Sequence, residues 1–233
     1  MAPPSGDSLI ETHGFAHPVR NIAALGVDTG MKIADFGSGS GAYVLGLADA
    51  LHGSGVVYAI DIQKDLLRRT KNEADKRGFK NVEVLWGDLE KPHGSKLADG
   101  LLELVLISNL LFQIDDRRAV LREAWRILRP AARLAILDWS DSFGRADSVG
   151  SREGVGEREF PVSEGSEQRE RRKTEGFRGG WGPQKEDVVP KKEIQGLAGE
   201  VGFELIEEFP AGAHHYGLLF RKTDTKKLRV KVS

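Results

Sequence analysis

The stretch KIADFGSGSG, Lys32 to Gly41, decides the fold. Lys32 to Phe36 is a short apolar run of strand character, and three glycines in the next five residues let the chain turn sharply. Beyond them Val44, Leu47, Ala48 and Leu51 fall on one face of a helix that Gly53 stops. A strand passing through glycines into a helix is the opening of a parallel βαβ unit.

The pattern continues outward. VVYAI (Val56 to Ile60) predicts a second strand, and Lys64 to Arg77 a helix with Leu66, Leu67, Thr70 and Ala74 inward, ended by Gly78. NVEVLW (Asn81 to Trp86) and LLELVLIS (Leu101 to Ser108) predict the third and fourth strands, the latter apolar enough for the middle of the sheet. Asp115 is expected to open a helix carrying Leu121, Ala124, Trp125 and Leu128, closed by Pro130, before a fifth strand from Arg133 to Trp139. From Asp141 to about Val189 the composition turns to Gly, Ser, Glu and Arg, with too little apolar surface to bury, and predicts a solvated loop or an ordered lid. Lys191 to Val201 then forms a helix with Ile194, Leu197, Ala198 and Val201 inward, and FELIEEF and AHHYGLLFRK form two antiparallel strands. Lys226, Lys227, Arg229 and Lys231 make a basic tail, and no internal repeat is present. The fold class is α/β, a mostly parallel Rossmann-like sheet with helices on both faces.

Composition bounds the function. In 233 residues there is room for one sizeable α/β domain, and 34 basic against 35 acidic residues leave no global field to attract polyanions. The absence of cysteine removes disulfides, thiolate metal sites and cysteine nucleophiles. The N-terminus lacks a basic segment followed by an apolar run, and no run of about 18 apolar residues occurs, so the expectation is a soluble, cytoplasmic protein without membrane insertion.

Ligands of open α/β sheets bind at the carboxyl ends of the strands, and here those ends are acidic. Asp35 lies at the end of the first strand, Asp61 ends the second, Gly87-Asp88 follows the third, and Gly37-Ser38-Gly39-Ser40-Gly41 sits between them. Gly37, Gly39 and Ala42 also satisfy the dinucleotide pattern G-x-G-x-x-A, with Asp61 near the ribose position, which keeps a nicotinamide-dependent oxidoreductase as an alternative. A pyrophosphate beside a charged Asp35 would meet repulsion on the order of 4 kcal/mol at an effective dielectric near 20. S-adenosylmethionine carries no phosphate; its ammonium, sulfonium, ribose diol and adenine amino group suit carboxylate partners. On this reading Asp35 serves the methionine end by way of the loop, Asp61 the ribose hydroxyls and Asp88 the adenine amino group. Plainer roles stay open: a tight turn for the glycines, a helix cap for Asp61, a turn for Gly87-Asp88.

DFGSGSG, VYAIDI, the GD after NVEVLW, ELVLISNLLFQ and ILRPAARLAILDW, in this order and spacing, resemble the successive motifs of class I S-adenosylmethionine-dependent methyltransferases, and within these the ubiquinone/menaquinone-biosynthesis type. The resemblance covers roughly His13 to Asp138 and Gly182 to Lys222. It implies a seven-stranded sheet with its last strand antiparallel, and a cofactor pocket lined by Asp35, Gly37, Gly39, Asp61, Ile62, Asp88, Leu89 and Asn109. Their neighbours Phe36, Ser38, Gly41, Gln63, Gly87 and Ser108 complete the expected set. Pro130-Ala131-Ala132 stands where relatives often carry Pro-Gly-Gly, Glu103 stands where Asp is usual, and about 145–181 looks inserted. The expected organisation is a segment 1–30 near the cofactor cleft, a methyltransferase domain 31–222 and a tail 223–233.

Methyl transfer from a sulfonium is an in-line displacement, to which a protein contributes alignment and exclusion of water. A base is needed for a hydroxyl or carbon acid, not for a neutral amine. Lacking cysteine, the chain is unsuited to cysteine-dependent cytosine-C5 or arsenite methylation, and Ser108-Asn109-Leu110-Leu111 does not match the Asn/Asp-Pro-Pro-aromatic signature of base-amine methylation. Only Asp138 is suited to a catechol-type metal site, so no metal is expected. The candidate catalytic residues are Asp138, His17 and His215, with Asn109, Phe112, Gln113, Trp139, His214 and Tyr216 as further acceptor-side candidates. His214 and His215, adjacent on a strand, point to opposite faces and cannot share a metal. A small-molecule acceptor is favoured, RNA and protein acceptors stay open, and a non-catalytic cofactor-binding module acting through the insertion is a further alternative.

Overall fold

The structure is a computed structural model and describes residues 18–140, 183 and 185–223. Twelve principal elements follow in chain order: α1 (Pro18–Ala24), β1 (Lys32–Phe36), α2 (Ala42–Ala50), β2 (Val56–Asp61), α3 (Lys64–Lys76), β3 (Val82–Trp86), β4 (Leu102–Ser108), α4 (Arg117–Ile127), β5 (Leu128–Trp139), α5 (Lys191–Val201), β6 (Phe203–Gly212) and β7 (His215–Lys222). The strands form one seven-stranded sheet in the order β3-β2-β1-β4-β5-β7-β6. Neighbours are parallel from β3 to β5, and β7 runs antiparallel to both β5 and β6.

β4 occupies the centre, and Leu102, Leu104, Val105, Leu106 and Ile107 are fully buried because helices cover both faces. Alternation along the strands sends Ile33, Leu104, Leu106 and Leu137 against α1, α2 and α3. Ala34, Phe36, Val105, Ile107 and Ile136 pack instead against α4 and α5. The inward face of α2 is as its spacing predicts, with Val44, Leu47, Ala48 and Leu51 fully buried. In α3, Leu67, Thr70 and Ala74 are buried and Leu66 is half-buried. In α5, Ile194 and Ala198 are buried, with Leu197 and Val201 half-buried.

Several boundaries differ from the sequence reading. α4 is capped by Asp116, not Asp115: its Oδ1 accepts the Ala119 amide at 2.9 Å. The helix ends at Ile127, and Leu128 already belongs to β5, where it pairs with Leu102. Pro130 disfavours helical geometry at Arg129, and the register shift between Leu102 and Leu104 takes up 129–132, with Ala131 at φ +63°. β7 begins at His215, leaving His214 in the turn, so the two histidines do not share a strand. The expected loop from Asp141 to Val189, the basic tail and His17 lie largely or wholly outside the described residues.

Candidate functional site

The glycine loop is held by its own backbone. The Gly37 and Ser38 amides donate to the Ile60 carbonyl at 2.8 and 3.1 Å, and the Gly41 amide to the Ser38 carbonyl at 2.9 Å. Gly37, Gly39 and Gly41 all have positive φ, at +69°, +52° and +83°. A Cβ on Gly37 would lie 2.7 Å from a methyl of Leu110, and one on Gly41 2.6 Å from Thr70 Cγ2. At Gly39 the nearest such neighbour is the Gly37 carbonyl oxygen at 3.9 Å, so this glycine borders open space.

Asp61, at the end of β2, joins the loop to α3. Its Oδ2 accepts the Gly39 amide at 2.9 Å and its Oδ1 the Gln63 amide at 2.8 Å. A carboxylate has about four acceptor positions, so each oxygen keeps capacity for a ligand hydroxyl. Ile62, next in sequence, is 43% exposed although apolar, and its carbonyl accepts the Trp86 indole N–H at 2.8 Å. Gly87 is fixed for a different reason, since a Cβ there would lie 2.1 Å from the Gly94 carbonyl oxygen. Asp88 Oδ1 accepts the Glu90 amide at 3.1 Å in a turn. The Phe36 and Leu89 side chains belong to the hydrophobic core, so these residues reach the strand edge through their backbones.

Asp35 is 2% exposed, and its Oδ1 has no hydrogen-bond partner among the described residues. Burial, then the charge of Asp61, pushes its carboxyl up to about 8. Without a cation beside it Asp35 is therefore largely protonated at neutral pH, which corrects the picture of three charged carboxylates and weakens the repulsion argument against a pyrophosphate. Donor accounting separates the two ligands instead. The amides of Gly37, Ser38, Gly39 and Gly41 are all used within the chain. Around the loop, the buried oxygens without a partner among the described residues are Asp35 Oδ1, Ser38 Oγ and Asn109 Oδ1. Four of the five loop amides are thus taken, which leaves a phosphate fewer backbone donors than an open anion-binding loop offers.

Asn109 follows β4 at φ +51°, its amide donating to the Leu137 carbonyl at 2.8 Å. Asp138, at the end of β5, is 1% exposed; its Oδ1 accepts the Trp139 amide at 2.8 Å and its Oδ2 the Leu111 amide at 3.1 Å. Burial lifts its carboxyl to about 7, against these two amides and the charge of Arg117. Trp139 and His215, paired across β5 and β7, stack with ring centroids 4.1 Å apart, and His215 is buried. Tyr216, opposite Asp138, donates its hydroxyl to the Val189 carbonyl at 3.1 Å, and burial followed by the charges of Asp138 and Glu193 raises its phenol above the ordinary value.

One residue of this neighbourhood escaped the sequence reading. Tyr43 of α2 is buried, its hydroxyl accepting from Asn21 Nδ2 at 2.9 Å, while Asn21 also donates to the Ala211 carbonyl at 2.9 Å. Burial raises the Tyr43 phenol, hydrogen bonds from Asn21 and Ser108 oppose this, and the charge of Asp35 adds to it. The available signal was a hydroxyl one position before Val44 on the inward face of α2.

Comparison with known proteins bears on the family and the fold. The family described as a methyltransferase domain matches residues 27–174. An arsenite methyltransferase from Aquipseudomonas alcaligenes is 34% identical over 114 residues, 47% of this chain and 33% of the relative. A demethylmenaquinone methyltransferase from Anoxybacillus flavithermus is 27% identical over 120 residues, 50% of this chain and 48% of the relative. The chain thus spans half or less of these curated relatives. A SAM-dependent methyltransferase from Aquifex aeolicus superposes with a TM-score of 0.66 at 23% identity, over 88% of this chain and 89% of that one, and shares the fold. With the family matched over more than half of its length, the chain belongs to the methyltransferase-domain family.

Proposed function

We propose that the protein binds S-adenosylmethionine at the ends of β1, β2 and β4 and transfers its methyl group to a small-molecule acceptor. The observation that carries this is a set of buried polar groups at the glycine loop, Asp35 Oδ1, Ser38 Oγ and Asn109 Oδ1, with no partner among the described residues, beside Gly37, Ser38, Gly39 and Gly41 amides that are used within the chain. These groups fit a cationic nucleoside, which brings its own donors. When bound, the cofactor supplies a methyl on a sulfonium, an already activated leaving group.

The chain's residues bind and align. Asp35 gains a cationic partner for its buried carboxyl, and the loop past Gly39 admits the ligand close to the backbone. Asp61, pre-oriented by the Gly39 and Gln63 amides, accepts from the ribose hydroxyls, and the exposed Ile62 gives an apolar face to the base near Asp88. Such a constellation contributes proximity and orientation, the main requirement of an in-line displacement.

A cleft of about 310 Å³ lined by Lys191, Glu208, Phe209, Pro210, His215, Tyr216 and Gly217 opens at the same end of the sheet and supports an acceptor of small-molecule size. The relatives named for arsenite and demethylmenaquinone favour a small acceptor as well, and the absence of cysteine speaks against arsenite. In this reading 31–222 is the transferring domain, and α1 belongs to its rim through the bond from Asn21 to Tyr43. No helix among the described residues is long and apolar enough to cross a membrane, which is compatible with action in the cytoplasm.

Thermal denaturation with added ligand tests the cofactor. S-adenosylhomocysteine at about 100 times its dissociation constant should add about 2.7 kcal/mol, and NADH nothing; the reverse would favour an oxidoreductase. Radiolabelled cofactor incubated with extract fractionated into metabolites, RNA and protein should place label in the metabolites. Label confined to RNA or protein would overturn the small-molecule acceptor, and binding without transfer to any fraction would favour a non-catalytic module.

A further inference from the structure

The segment that leaves β4 is gripped from both sides. The Leu111 amide donates to Asp138 Oδ2 at 3.1 Å, and the Leu111 carbonyl accepts from Arg117 Nε at 2.9 Å. Both bonds close on one residue of a single 3-10 turn, Leu111–Gln113. Just before it stand Leu110, whose methyl group fills the space a Cβ on Gly37 would need, and Asn109, held at φ +51° with Oδ1 lacking a partner among the described residues. Leu111 itself is fully buried, so the turn cannot slide without opening the core.

Asp138 is poorly arranged to exchange protons with an acceptor. It lies 1% exposed on the sheet face that packs against α4 and α5, with each oxygen already accepting a backbone amide. These two bonds fix its orientation toward the Leu111 and Trp139 backbone.

We propose that Asp138 is a positioning residue: with Arg117 it clamps Leu111, and the clamp holds Asn109 and Leu110 against the glycine loop where the cofactor binds. The proposal rests on the cofactor reading above and adds to it how the β4 side of that pocket is kept in place. Asp138 acts on ligand affinity through the turn and makes no contact with the reacting atoms. Arg117 contributes from the other side of Leu111, and its guanidinium also lies 3.6 Å from Glu193 of α5.

S-adenosylhomocysteine titrated calorimetrically into the full chain provides the test, with Asp138→Asn, Arg117→Met and Asn109→Ala alone and in pairs. An asparagine can accept with one oxygen only, so D138N leaves one of the two amides facing an NH₂ group. The expected result is at least tenfold weaker binding for D138N, and a smaller loss in the same direction for R117M. In the N109A background the D138N loss should shrink to threefold or less, because the contact that the clamp positions is already gone; a general loss of stability would persist there. Should D138N fail to fold, R117M, altered at a partly exposed side chain in the first turn of α4, carries the same coupling test with N109A. Wild-type affinity in both D138N and R117M, or a loss undiminished by N109A, would overturn the clamp. Failure of the wild-type chain to bind the ligand would instead overturn the cofactor reading beneath it.

Discussion

Replacing Asp35 by Asn should stabilise the ligand-free protein at alkaline pH while weakening the cofactor. Asp35 is buried, and its carboxyl is raised from 3.8 to about 8. A carboxyl raised on folding contributes stability that is fully present below its unfolded value and is lost as pH rises through its folded value. At 1.36 kcal/mol per pH unit that interval corresponds to roughly 6 kcal/mol at most, and the part between pH 5 and pH 8 to roughly 4 kcal/mol. Asparagine keeps the shape and cannot ionise, so it escapes this loss. Urea unfolding at intervals from pH 5 to pH 9 measures it: the stability of D35N relative to the wild type should climb with pH and level off above about 8. Adding S-adenosylhomocysteine, whose ammonium supplies the missing positive charge, should flatten the wild-type trend and leave D35N bound at least tenfold more weakly. Free energies of the two proteins that run parallel across this range would refute the reasoning, because Asp35 would then be ionised at no cost in the free chain.

Asp61→Ala removes the acceptor of the Gly39 and Gln63 amides, which should cost about 1–3 kcal/mol in urea unfolding and lower S-adenosylhomocysteine affinity more than tenfold; unchanged affinity would take Asp61 out of the site. Gly37→Ala and Gly39→Ala should separate stability from binding. Both force a side chain to positive φ at about 1–2 kcal/mol, but only the methyl group added in G37A also collides with Leu110. G37A should therefore be the less stable in unfolding, while G39A loses ligand affinity with the smaller stability cost. Equal stability of the two would show that Leu110 yields freely.

Strands were legible because their signals are local. The near-continuous apolar run of β4 marks the sheet centre, and the glycines at 37, 39 and 41 mark a turn only they can make. The α4 boundaries were less so: Asp115 and Asp116 are equally plausible caps in sequence, and the choice falls to Asp116 through its bond to Ala119. At the other end Leu128 has a helical period, yet pairing with Leu102 in the sheet takes it. The acidic strand ends were visible as chemistry, but not that burial and Asp61 would keep Asp35 protonated, since that depends on what packs around it. Tyr43 left only its place beside Val44 on the inward face of α2, while its bond to Asn21 and the grip of Asp138 and Arg117 on Leu111 are contacts between distant segments that spacing along the chain does not register.

The antiparallel insertion of β7 between β5 and β6 has an outcome for biosynthesis. A chain emerging from the ribosome completes β5 well before β7 exists, so for much of synthesis β5 presents an unpaired edge beside β4 alone. Such an edge invites association with other nascent chains until the C-terminal strands arrive. Because β7 starts at His215 opposite Trp139, its docking on β5 also brings His215, Tyr216 and Gly217 to the rim of the cleft. Ribosome-bound chains stopped short of residue 203 should therefore depend on chaperones, and gain independence once residue 222 has left the exit tunnel.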